Sequence, residues 1–186
     1  MLTRIDPDNE QFFRSIVEIS VEEHTAMFER TIVILHPGTD VKNDGGFPFR
    51  APNCDDVRMS ATQCMELEFA LRSVNGAHAP CSLAVYAGFL SEEEFRQGLE
   101  PAGTGIDGNL RYVVFNAELS DCSFYSMDTR WGFFPATELS FLWARDRSWL
   151  VVSSPDTAVT IVGCGSNLAN ALLSAPELGA FEWSNR

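Results

Sequence analysis

The last fifth of the chain limits its fold more than any other segment. From Glu138 to Trp183, ELSFLWARD, RSWLVVSS and AVTIVG read as three strands, parted by turns and followed after CGSN by LANALLSAPELGAFEW, which reads as a helix. The strand stretches are rich in β-branched and aromatic residues, and each break carries the Pro, Gly, Asp, Asn or Ser that a turn requires. Strands joined by links this short pair antiparallel. Trp143 and Trp149 flank the first turn and are expected in the core, near one another across the hairpin.

The preceding residues interleave helical and strand patterns. Pro7 introduces a helix with Phe12, Phe13, Ile16, Val17 and Ile19 inward and Asp8 or Asn9 as its cap. VEEHTAMFER is a second helical pattern, with Val21, Met27 and Phe28 inward, and TIVILH is the first strand. Residues 38–52 are rich in Gly, Pro, Asp and Asn and read as a long loop. Ser60 caps ATQCMELEFALRSV, whose inward set is Cys64, Leu67, Ala70, Leu71 and Val74, and Asn75-Gly76 stops it. CSLAVYAGF barely alternates and reads as a central strand. SEEEFRQGLE is helical, with acids in the first turn, and LRYVVFNAE is a strand. The expectation is one α+β domain over residues 1–186: a mainly antiparallel sheet with about four helices packed on or around it. Residues 1–137 form an acidic, loop-rich part and 138–186 a β-β-β-α module.

Charge narrows the partners. The chain has 26 acidic and 13 basic residues, a net of −13, and residues 1–100 hold 17 of the acids against 8 bases. Such a surface repels nucleic acid and anionic membranes and favours basic partners. No apolar run approaches the ~18 residues of a membrane span, and MLTRIDPDNEQFF lacks the apolar core of a signal peptide. The five cysteines (Cys54, Cys64, Cys81, Cys122 and Cys164) are irregularly spaced without a Cys-x-x-Cys pair. This pattern suits reduced thiols in a cytoplasmic protein.

Sets that could carry chemistry are sparse. Cys164 lies in VGCGSN, between a strand and a helix start that could activate a thiolate, but Gly-Cys-Gly is not the Gly-x-Nuc-x-Gly of a nucleophile elbow. His24, His36 and His78 lack any supporting motif for a base. Cys64, His78 and Cys81 have ligand chemistry without the paired knuckles of a zinc site. The Asp40, Asn43, Asp44 loop does not keep calcium-loop register, so neither a metal nor another cofactor is expected. Exposed acids are better read as docking groups, and the candidates are Glu22, Glu23, Asp55, Asp56, Glu92, Glu93 and Glu94.

From Phe141 through Gly163 the sequence F-x-W-x-x-D-R-S-W-L-V-V-S-x-P-D-x-x-x-T-I-V-G, followed by Leu168, Leu172 and Leu173, resembles a segment of small bacterial immunity-type proteins of polymorphic or contact-dependent toxin systems. The resemblance covers about a quarter of the chain and transfers no active-site residue. It implies a non-catalytic acidic protein that neutralises a cognate, basic toxin domain by direct binding. The competing expectation is a small cytosolic enzyme with a cleft under loops 38–56 and 101–109, working through Cys164 or a histidine.

Overall fold

Residues 3–17, 21–41, 49–50, 59–86, 103–104, 111–122, 139–153 and 158–183 are described by a computed structural model. Its strands are β1 (Thr3–Arg4), β2 (Arg30–Leu35), β3 (Asp40–Val41), β4 (Phe49–Arg50), β5 (Pro80–Tyr86), β6 (Gly103–Thr104), β7 (Arg111–Glu118), β8 (Leu139–Ala144), β9 (Leu150–Val152), β10 (Val159–Cys164) and β11 (Ala180–Glu182). Among the described residues three helices of eight residues or more accompany them: α1 (Pro7–Val17), α3 (Ala61–Asn75) and α4 (Ser166–Leu173). The helix α2 (Val21–Ala26) is barely two turns long. The architecture is α+β, as the sequence pattern predicts.

One sheet runs β1-β7-β5-β8-β9-β10-β2-β11, with β6 pairing on β7, and each of its pairings is antiparallel. Of CSLAVYAGF, Cys81–Tyr86 belongs to β5, which is central, held between β7 and β8. The hairpin series β8-β9-β10 follows the C-terminal reading, and β2 is inserted between β10 and β11. After β2, β3 and β4 form a separate two-residue ladder, Asp40↔Arg50 and Val41↔Phe49.

Alternation along the strands sends apolar side chains to two faces. On one face α3 and α4 cover Ile32, Ile34, Leu83, Val113, Leu142, Val151 and Val162 through Cys64, Leu67, Leu71, Leu168 and Leu172. On the other, α1 lays Phe12, Phe13, Ile16 and Val17 on Ala84, Tyr112, Val114, Phe141, Trp143, Leu150 and Val152. Phe13 stacks on Trp143 with centroids 5.6 Å apart and meets Phe141 edge-on at 5.5 Å. A register shift in the β5–β8 pairing, between Ala84↔Phe141 and Val85↔Leu139, bulges Ser140 out of the ladder. Leu139 therefore joins the α3 face although Phe141, two residues on, faces α1.

Trp143 and Trp149 are both core residues, but on opposite faces. Trp143 opposes Leu150 and the Trp149 carbonyl accepts from the Ala144 N–H, so the two indoles are one position out of phase. The linking turn takes a left-handed Arg147 (φ 64°) and is closed by Asp146, which accepts from Ser148 N–H at 3.0 Å and Ser148 Oγ at 2.7 Å.

Four local expectations change. The cap of α1 is Asp6, which accepts from Asn9 N–H at 3.0 Å and is also reached by Asn116 Nδ2 (3.2 Å) and an Arg145 guanidinium nitrogen (3.0 Å). These donors hold its carboxyl well below the usual carboxylate range, the Asn9 bonds contributing most. Met27 is 46% exposed, because α2 ends at Ala26 and only Phe28 turns back onto the sheet. Val74, at the last turn of α3, is exposed as well. The helix read in LANALLSAPELGAFEW stops at Leu173: Pro176 opens a 3₁₀ turn, Gly179 adopts φ 60°, and Ala180–Glu182 pairs along β2. Proline cannot continue the helical hydrogen bonding, and the left-handed glycine turns the chain back toward the sheet.

Candidate functional site

Cys164 ends β10 and lines a cleft of about 390 Å³ between the C-terminus of α3 and the N-terminus of α4. Val74 and Asn75 form one wall, Gly165 to Leu168 the other, with Ser148, Trp149 and Glu29 completing the lining. The sulfur is fully buried, and burial pushes the thiol up to about 11; the Arg30 guanidinium lowers it, while Glu29 and Glu182 raise it. A thiol so raised is overwhelmingly protonated at neutral pH and is a poor nucleophile. The helix start offers it no activation, since Glu29 already occupies that end, accepting from Ser166 N–H at 3.3 Å and Ser166 Oγ at 2.6 Å. Arg30 is committed elsewhere, in a paired contact to Glu182 (2.7 and 2.6 Å) and a bond to Asn170 Oδ1 (2.7 Å) that ties β2, β11 and α4 together.

The histidines are likewise absorbed by the fold. His36 Nε2 lies 2.9 Å from Thr160 Oγ1, which in turn donates to Ser153 Oγ at 3.0 Å. All three are buried and link β2, β10 and the end of β9. His24 Nε2 donates to the Ile16 carbonyl at 2.7 Å, locking the end of α1 to α2. His78 is exposed and paired to Glu118 at 2.7 Å, whereas Cys64 faces the core from α3 and Cys81 lies in the sheet below it. The sequence trio Cys64, His78 and Cys81 is therefore not assembled as a ligand set, and among the described residues no three His, Cys, Asp or Glu side chains group for a metal. Nor, among them, is any helix long and apolar enough to cross a membrane.

The outer face of α3 presents a different chemistry. Cys64, Leu67 and Leu71 point to the sheet, which leaves Met65 and Phe69, one turn apart, aimed away from it. Met65 is 60% exposed and Phe69 70%. Glu66 stands beside them, and Glu68 pairs with Arg72 at 3.3 Å. Arg72 also bonds the carbonyls of Leu119 (3.3 Å) and Cys122 (2.9 Å), so this helix is fastened at the side of the patch. A large apolar pair bordered by carboxylates suits a partner that brings an apolar contact ringed with basic groups.

Of the acids picked from sequence, Glu23 is exposed on α2, and Glu22 belongs to the same short helix. Asp55, Asp56, Glu92, Glu93 and Glu94 lie outside the described residues. Met65 and Phe69 were not among the sequence candidates. Their signal was available: two large apolar side chains at i, i+4 spacing on the face opposite Cys64, Leu67 and Leu71. No family model, curated protein or solved structure matches the chain.

Proposed function

We propose that this chain is a non-catalytic, acidic, immunity-type protein of the bacterial cytoplasm that neutralises a cognate basic toxin domain, docking it on the outer face of α3. The observation that carries the reading is the exposed Met65–Phe69 pair beside Glu66 on a chain of net charge −13. An exposed aromatic anchor supplies affinity, and complementary charge speeds encounter and selects against acidic partners. The acids of the first hundred residues, Glu22 and Glu23 among them, extend the field that steers such a partner.

The test is to search the neighbouring genes for a secreted toxin domain and titrate the purified chain against it by calorimetry. Expected are a complex in low salt, association that slows as salt is added, and a Kd about 30-fold weaker for Phe69→Ala. Phe69 is largely exposed, so this variant keeps the wild-type unfolding midpoint. Failure to form a complex in low salt removes the reading; a complex unaffected by Phe69→Ala moves the interface off α3.

A further inference from the structure

We propose that Cys81 and Cys122 form a reversible thiol–disulfide pair, oxidised in the folded protein by a low-molecular-weight disulfide of the glutathione type. The inference stands apart from the toxin-binding reading and rests on a different observation. The two sulfurs lie 3.6 Å apart, from residues separated by 41 positions. Both are buried.

Each cysteine is held in place by backbone bonds made elsewhere. Cys81 is in the β5 ladder, opposite Ala117 on β7 and Ala144 on β8. Cys122 follows the 3₁₀ turn Leu119–Asp121, which is anchored by Leu119 N–H to the Ala79 carbonyl (3.1 Å) and Ser120 N–H to the Ala77 carbonyl (2.8 Å). Its own carbonyl accepts from Arg72 at 2.9 Å and its N–H donates to the Leu119 carbonyl at 3.2 Å. The sulfurs are already in contact at 3.6 Å, and forming an S–S bond of ~2.05 Å asks them to close by about 1.5 Å.

The exchange balances as follows. The Cys122 thiolate attacks one sulfur of glutathione disulfide; that S–S bond breaks, and one glutathione leaves as a thiolate and takes up a proton. The Cys81 thiolate then attacks the Cys122 sulfur of the mixed disulfide, forming the Cys81–Cys122 bond and releasing the second glutathione. Two protein thiols are oxidised, one glutathione disulfide is reduced, and the protons lost by the cysteines end on the two glutathiones. In the resting pair the hydrogen bond with Cys81 and burial both raise the Cys122 thiol. Exchange therefore waits on local opening of the Leu119–Cys122 turn, which makes the pair a slow responder to sustained oxidation.

The experiment is incubation of the native protein with oxidised glutathione, followed by alkylation of the remaining thiols and peptide mapping. Expected is a Cys81–Cys122 linked peptide that disappears on reduction, with a melting midpoint raised by about 4–8 °C in the oxidised form. The linked peptide should be absent from Cys122→Ser. If that variant does not fold, the map of the wild-type protein decides alone. Persistence of both free thiols, glutathione adducts without the internal bond, or a bond from either residue to Cys54, Cys64 or Cys164 overturns the proposal.

Discussion

Gly163 lies where the Phe28 ring crosses β10. A Cβ built there would overlap the ring, whose Cγ and Cε2 would stand 2.8 and 2.9 Å away. Gly163 opposes Leu150 and Thr31, so both neighbouring strands pin the backbone and the ring must yield. Gly163→Ala is expected to lower stability by about 1–3 kcal/mol, seen as a lower midpoint in urea unfolding. His24 sets a second residue-scale expectation. Its Nδ1 is buried without a partner, and burial lowers its pKa below the ordinary 6.5, outweighing the Ile16 bond and Glu23, which raise it. The unfolded imidazole therefore takes up a proton before the folded one does. Its stabilising contribution is complete above about pH 6.5 and is lost as pH falls toward the folded value, by at most about 1.4 kcal/mol per pH unit. Urea unfolding between pH 5 and 7.5 should show this slope in the wild type and a shallower one in His24→Gln. Equal slopes would assign the dependence to other groups.

At the scale of elements, α3 was the most legible in sequence and also the most productive. Ser60 and Gln63 form a reciprocal capping box, with Gln63 N–H donating to Ser60 Oγ at 3.1 Å and Ser60 N–H to Gln63 Oε1 at 3.0 Å. Gln63 Nε2 also donates to the carbonyls of Leu35 (2.7 Å) and Leu178 (3.0 Å), which fixes the helix start against β2 and the C-terminal turn. Ser60→Ala should cost about 1 kcal/mol and speed amide exchange in the first turn of α3, measured by hydrogen exchange. The cap of α1 was harder to read, because Asp6, Asp8 and Asn9 all have capping chemistry. Asn116 and Arg145 select Asp6, and they arrive from β7 and from the turn after β8, more than a hundred residues away. The same limit explains the C-terminal helix: Phe181 and its neighbours satisfy a helical pattern locally, but β2 offers them a sheet edge.

For the whole molecule, the antiparallel sheet and the run β8-β9-β10 were legible because turn residues mark each reversal. The strand order beyond them was not, since an apolar β-branched stretch such as Thr31–Leu35 can pair with many edges and its partners come from the far end of the chain. The inward face of α3 was legible, so Met65 and Phe69 on the opposite face could be placed, but how far they stand clear of neighbouring segments depended on the tertiary packing. The place of β2 has a consequence for synthesis. Arg30–Leu35 is synthesised more than 120 residues before either of its neighbours, Val159–Cys164 and Ala180–Glu182. Until they are made, this apolar strand has no native partner on either side, which exposes it to non-native pairing. A ribosome stalled shortly before β10 therefore leaves both β2 and its place in the sheet open at once.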